Sequence, residues 1–297
     1  MSPARRLAVL AAGLLCAATW AAPRCHATIT VATFNIEFFP KRDVDVDQVA
    51  ERLAQTDADL LALQEIRDAD ALAELVDAAA ALTGRDYRAV LSRCLGHDKY
   101  MTPAIVYDAD RLRLLETRDY PQLQPDGEGA CKGPDMPGLL AVFEDRRGER
   151  IAALSVHLRP FPHGHARRIE QLHSIVEIVA DVERKFGARV ITLGDFNTTG
   201  FRGHPAEERE TVQRLVGAAG LSLPTAALPC TEYYRPDETG PFLPSVLDHI
   251  LLREGDWDPP EVMGMCAELS CAVVEGRMHP DYTTVSDHCP VRIHGRW

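Results

Sequence analysis

The chain lacks most of the features that would tie it to thiolate, redox or membrane chemistry. Its eight cysteines include no C-x-x-C pair, which sets aside a thiolate zinc site and a dithiol redox motif. Aromatic residues are only 6% of the sequence and no basic amphipathic helix is apparent, leaving little to hold the protein on a lipid surface. Positive charge is scarce: 32 Lys and Arg stand against 44 Asp and Glu, a net charge of −12. Such a surface repels polyanions, so a nucleic-acid or phospholipid substrate would need a local basic patch or a bound cation. No repeat or low-complexity linker divides the chain, and 46% hydrophobic with 26% charged residues is a globular composition.

The first residues, MSPARRLAVLAAGLLCAATWAA, combine Arg5 and Arg6 with an apolar run from Leu7 to about Ala18 and then small residues. The run falls short of the roughly 20 apolar residues that span a bilayer, so it reads as a cleaved signal peptide rather than an anchor. Cleavage after Ala21, Ala22 or Ala27 leaves one domain over 28–297, expected to be secreted or periplasmic, monomeric and without stable membrane insertion. Export makes disulfides plausible. The expected bridges are Cys94 with Cys131 and Cys230 with Cys266 or Cys271, with Cys289 a buried thiol.

Strand-length apolar segments occur at 29–35, 59–65, 103–108, 139–145, 150–158, 188–197, 246–252 and 289–293. Helical periodicity covers 46–55, 69–82, 165–186 and about 206–219, the third with Ile169, Leu172, Ile175, Val176, Val179 and Val182 on one stripe. Strands alternating with helices, then grouped, indicate a mixed α/β fold with helices over sheet faces. The Pro- and Gly-rich stretch 119–138 and the stretch 221–245 read as long loops.

Polar residues gather at the strand ends. Asn35 follows ITVATF, Glu65 follows LLALQ, His157 follows AALSV, and Asp195 and Asn197 follow VITLG. Asp248 lies in VLDHILL, and Asp287 and His288 precede the last apolar run. Strand ends of α/β sheets collect on one rim, where ligands bind. Asn, Glu and Asp are hard oxygen donors suited to Mg²⁺ or Mn²⁺, and two histidines add proton exchange and charge stabilisation. Asp195 and Asn197, two apart, are expected to share a face while Phe196 enters the core. By the same alternation His249 should face away from the site. Arg159, Arg167 and Arg168, with His163 and His165, form the basic cluster of an acidic chain and read as contacts to substrate phosphate.

In chain order TFNIE, LQE, SVHL, GDFN, LDHILL and SDHCPV resemble the signature motifs of the endonuclease/exonuclease/phosphatase superfamily. The resemblance implies a four-layer α/β/β/α sandwich of two packed mixed β-sheets flanked by helices, and Mg²⁺-dependent phosphoester hydrolysis. It also implies roles: Asn35, Glu65 and Asp287 at the metal, Asp195 and Asn197 on the attacking water, His288 oriented by Asp248, and His157 on phosphate. The resulting expectation is a secreted phosphodiesterase cutting nucleic acid, with sphingomyelinase-like, phosphomonoesterase and non-catalytic binding readings left open.

Overall fold

A computed structural model describes residues 28–93, 101–123, 136–199 and 206–296. The chain runs β1 (Thr28–Phe39), α1 (Val46–Gln55), β2 (Leu60–Ile66), α2 (Ala69–Thr83), β3 (Tyr87–Leu91), β4 (Thr102–Asp108) and β5 (Leu112–Tyr120). It continues with β6 (Gly138–Asp145), β7 (Arg150–His157), α3 (His165–Phe186), β8 (Arg189–Asp195), α4 (Ala206–Ala218), β9 (Leu221–Ser222), β10 (Glu232–Tyr234) and β11 (Leu243–Ser245). The last elements are β12 (Asp248–Arg253), β13 (Asp256–Trp257), β14 (Glu261–Val262), α5 (Gly264–Glu268), α6 (Asp281–Thr284) and β15 (Val291–Arg296).

Two mixed sheets carry the fold. The first has the order β13-β15-β1-β2-β4-β3, with β14 also on β15, and the second β5-β6-β7-β8-β12-β9. Each contains one parallel pair, β1 with β2 and β7 with β8. A helix supplies each crossover, as parallel neighbours require.

Period-two alternation sorts every central strand into two faces. Ile29, Val31, Leu60 and Ala62 of the first sheet meet Ile151, Ala153, Ile191, Leu193 and Ile250 of the second in a shared apolar layer. The alternate residues of the first sheet, Ala32, Phe34, Leu61 and Leu63, pack under α1 and α2. Those of the second, Ala152, Leu154, Val190 and Leu251, pack under α3 and α4. The result is helix, sheet, sheet, helix, the architecture that the motifs imply. Asp68 caps α2 by accepting from the amides of Asp70 and Ala71 at 2.9 Å, and Gly84, at φ 71°, ends the helix in the left-handed conformation.

Several expectations need correction. The edge strands β3 and β5 were not expected; the latter alternates between buried and exposed positions around charged side chains, which masks its apolar signal. The stretch 221–245 contains β9 and the hairpin β10–β11 and is not one loop. The final strand starts at Val291, since Pro290 has no amide to donate. Cys289 is no free thiol: it bonds Cys266, and Cys230 bonds Cys271. Cys94, Cys131 and the leader lie outside the described residues. Among the described residues no helix is long and apolar enough to cross a membrane.

Candidate active site

Followed toward one rim, the layer between the sheets turns from apolar to polar. On β1 the inward series Ile29, Val31 continues through buried Thr33 to Asn35; on β7, Ile151 and Ala153 continue through buried Ser155 to His157. On β8 it ends at Asp195, and on β12 it begins at Asp248. Gln64 spans the gap beneath, accepting from Thr33 Oγ1 and donating to Ser155 Oγ, both at 3.3 Å. Register then places His157, Asp195 and Asp248 abreast on three adjacent strands. Their close approach depends on Gly194, at φ 155°: a Cβ there would lie 1.9 Å from the carbonyl oxygen of Val156.

Glu65 reaches the same rim by a different route. Alternation would point it outward with Leu61 and Leu63, toward the helices. Instead its φ is 67°, and the pairing of β2 with β4 shifts register between Leu63 and Ile66. A shift of this kind re-aims a side chain, commonly next to a functional site. Glu65 Oε2 accepts from the Phe38 amide at 2.9 Å and Oε1 from Asn35 Nδ2 at 3.1 Å.

The side chains converge on Asp195 Oδ2. Asn35 Nδ2 donates to it at 3.1 Å, His157 Nε2 lies 3.5 Å away and His288 Nε2 3.7 Å away. The other oxygen, Oδ1, accepts from the Asn197 amide at 2.8 Å. Asn197 stands past the end of β8 at φ 51°, so a turn, and not strand alternation, brings it beside Asp195. Its Nδ2 donates to the Leu158 carbonyl at 3.2 Å. Phe196 is fully buried, as expected.

His288 Nδ1 lies 2.8 Å from Asp248 Oδ2 across 40 residues of sequence. That contact leaves Nε2 facing the rim. Burial by itself would lower the His288 pKa, but the Asp248 carboxylate outweighs it, with Asp195 and Asp287 adding, and holds the imidazole protonated well above its ordinary range. Burial pushes Asp248 up while the imidazolium pulls it down, so the titration belongs to the pair. His249, the neighbour, is fully buried on the opposite face between Thr198 Oγ1 at 2.8 Å and Thr225 Oγ1 at 3.0 Å. Burial lowers its pKa to about 3, so it is a neutral sheet residue.

Asp287 is only partly buried. Desolvation raises its pKa to about 7, with the charges of Glu37 and Glu65 adding to the effect and His288 opposing it. Its Oδ1 has no hydrogen-bond partner. Glu232, not anticipated, joins this group: it is 7% exposed, its Oε2 has no partner, and burial pushes its pKa well up, with Asp287, Asp195 and Asp248 adding to the effect and His288 opposing it. Ligand atoms of Asp195, Asp248 and His288, and again of Glu232, Asp287 and His288, lie within 4.8 Å of one another.

Two small residues not singled out beforehand organise the rim. Ser286 Oγ donates to the Asn35 carbonyl at 2.7 Å and accepts from the His288 amide at 3.0 Å. Thr231 Oγ1 accepts from the amides of Leu247 and Asp248, both at 3.0 Å, and its carbonyl accepts from the Cys289 amide at 2.8 Å. The serine of SDH and the CT of LPCTE were the available signals, but neither reveals its partners.

The basic cluster divides. Arg168 is fully buried: it donates to Glu208 at 2.6 and 3.0 Å and to the carbonyls of Arg159 and Phe161 at 2.8 and 2.7 Å. It is therefore a clamp on the loop after His157 and not a substrate contact. Arg167 pairs with Glu170 at 3.0 Å along α3. Arg159, half-buried, donates its amide to Gln171 Oε1 at 2.9 Å.

Sandwich and rim together define the class, a four-layer α/β/β/α protein with an acidic, histidine-bearing site at one rim. The chain belongs to the endonuclease/exonuclease/phosphatase family, whose model matches residues 32–288. It is similar to a protein named deoxyribonuclease from Thioalkalivibrio sp. (strain K90mix), 24% identical over 67% of this chain and 54% of that one. It thus spans about half the length of that curated relative. Its fold is also that of a family protein from Bacteroides thetaiotaomicron, at 19% identity and TM-score 0.62 over 91% and 97% of the two chains. TDP2 of D. rerio, complexed with a single-strand DNA product, matches at 17% identity and TM-score 0.64 over 90% and 98%. A mannosyl-6-phosphatase of Bacteroides thetaiotaomicron matches at 20% and 0.59 over 89% and 98%.

Proposed function

We propose that this protein is an exported, Mg²⁺-dependent phosphodiesterase that cuts nucleic acid. The observation that carries the reading is the convergence of the Asn35 side-chain amide and two imidazoles on Asp195 Oδ2, at 3.1, 3.5 and 3.7 Å, beside a surplus of carboxylates. The leader supports export, and the relative named deoxyribonuclease favours nucleic acid over other phosphoesters.

The donor set suits a hard dication. Glu65 and Asp287 offer carboxylate oxygens with Asn35 adjoining; Asp287 has an orphan oxygen and a pKa driven up to about 7 by burial and its acidic neighbours, the state that a cation relieves. These residues would hold Mg²⁺ or Mn²⁺, which when bound neutralises charge on phosphate oxygens and eases departure of the leaving alkoxide.

The chain's own groups account for the rest. Asp195, held by the Asn197 amide, takes a proton from water through Oδ2 as the water oxygen bonds phosphorus. The P–O bond opposite breaks, and its electron pair leaves with the alkoxide. The Nε2–H of His288, kept charged by Asp248, donates to a non-bridging oxygen that gains charge in the transition state. His157, whose Nδ1 is buried without a hydrogen-bond partner and lies 3.9 Å from Glu65 Oε1, presents a second ring to the same phosphate.

The test compares the protein with Glu65→Ala and His288→Ala on a single-stranded deoxyoligonucleotide, sphingomyelin vesicles and a sugar phosphomonoester, each with Mg²⁺. The oligonucleotide should be cut, and each variant should lose on the order of 10²–10⁴-fold in rate with its melting temperature kept. Turnover of only the lipid or the monoester, or undiminished variants, would sink the reading.

A further inference from the structure

Among the described residues only two Phe, Tyr or Trp side chains are exposed, Phe38 at 38% and Phe161 at 63%. Both stand at the rim. Phe38 lies three residues beyond Asn35, and its amide supports Glu65 at 2.9 Å. Phe161 lies four residues beyond His157, on the loop whose Leu158 carbonyl accepts from Asn197. The first is on β1 of one sheet and the second on the loop that leaves β7 of the other, so they extend from the rim ends of strands in the two facing sheets.

Both also have positive φ, 52° at Phe38 and 68° at Phe161. For a bulky non-glycine residue that conformation costs about 1–3 kcal/mol and persists only where its surroundings enforce it. Here they do. Fully buried Arg168 grips the Phe161 carbonyl at 2.7 Å. The Glu65 carboxylate holds the Phe38 amide, and Glu37 just before it also has positive φ, 40°. Fold stability gains nothing from strain that leaves a large apolar ring in water. Each ring is instead backed on one side by a flat group: the Arg67 guanidinium lies 4.5 Å from the Phe38 centroid, and the His163 ring stacks on Phe161 at 5.6 Å and 15°. A ring supported in this way keeps one aromatic face open, and at Phe38 that face stands beside a fixed positive charge, a surface that receives an unpaired base attached to phosphate.

We propose that Phe38 and Phe161 are stacking platforms for the two nucleobases that flank the scissile phosphate, one on each side. The inference rests on the nucleic-acid reading above and narrows it to single-stranded or locally unpaired substrate, whose bases are free to leave the helix stack. Base–aromatic stacking is tolerant of sequence, so cleavage follows strand availability more than base identity.

The decisive experiment measures kcat/KM with Mg²⁺ on two oligonucleotides that differ only in whether the nucleotides flanking one cleavable phosphate carry bases or are abasic, all other linkages being phosphorothioate. The wild-type protein should prefer the base-bearing substrate by about tenfold per ring, largely through KM. Phe38→Ala and Phe161→Ala should each reduce that preference by about tenfold, and the double variant should bring it near one. Phe38→Tyr and Phe161→Trp should restore it, which a merely structural role would not do. A wild type that cuts both substrates equally, or alanine variants that keep the wild-type ratio, would overturn the platforms while leaving the nuclease reading intact. A wild type that cuts neither would overturn both. Alanine variants that lose binding to phosphatidylcholine vesicles but keep the base preference would assign the rings to a lipid surface instead.

Discussion

The sandwich carries buried carboxylates at both ends, and they are treated in opposite ways. At the end away from the rim, Asp59 accepts from Arg85 at 2.9 Å, from Arg111 at 2.6 Å and from the Thr30 amide at 2.9 Å, while Asp108 accepts from Arg85 at 2.7 Å. At the rim, among the described residues, Glu65, Asp195, Asp248, Asp287 and Glu232 share no arginine or lysine partner, only the Asn35 side-chain amide, the backbone amides of Phe38 and Asn197 and two imidazoles, and oxygens of Asp248, Asp287 and Glu232 have no hydrogen-bond partner. Burying an unpaired carboxylate is expensive, so the rim carries a standing deficit of positive charge that the far end lacks. One cluster fastens the fold. The other, on the function proposed above, receives a cation and a phosphate.

The largest expected difference lies in Asp248→Asn. The amide cannot hold His288 as an imidazolium, so kcat should fall by about 10⁴-fold, as when a buried aspartate that orients a catalytic histidine is replaced, with little change in melting temperature. The sign of the pH effect follows from the shift. In the wild type His288 stays charged well above its usual range, so activity should persist into alkaline pH and decline as the ring loses its proton. Without Asp248 the proton leaves earlier, and that decline should move to lower pH. A variant with the wild-type alkaline limb would separate His288 from Asp248. Arg85→Ala should do the converse: removing the shared partner of Asp59 and Asp108 should cost about 3 kcal/mol of stability, read by denaturant unfolding, with specific activity preserved below the transition. Activity lost in proportion to nothing measurable in stability would erase the contrast between the two ends.

Much of the rim was legible because strand alternation is a local property. Val31 to Asn35, Ile151 to His157 and Ile191 to Asp195 extend an inward series that the sequence displays, and the helices at 46–55 and 165–186 coincide with their periodicity. What was not legible depends on partners far away in sequence or on the backbone itself. Arg168 looked like a free phosphate contact because Glu208, 40 residues on, is invisible from the motif LRPFPHGHARR. Glu65 was placed by its position at a strand end and by its motif, but alternation would have turned it away and only a φ of 67° turns it back. Asn197 shares a side with Asp195 through a turn, where alternation had offered the wrong reason. Glu232 sits in a stretch read as loop, and its charge is notable only once Asp287 and His288 are seen beside it. Cys289 looked like a buried thiol in a strand; the turn before Pro290 instead brings it to Cys266.

The central claim is that the carboxylates gathered at the rim serve a divalent cation in phosphoester hydrolysis. It is tested most directly by following cleavage of a single-stranded oligonucleotide by the purified protein in EDTA and then on addition of Mg²⁺, Mn²⁺ or Ca²⁺. Cleavage should vanish in EDTA and return in proportion to added Mg²⁺ or Mn²⁺, in the wild type but not in Glu65→Ala. Cleavage that continues at full rate in EDTA would contradict it.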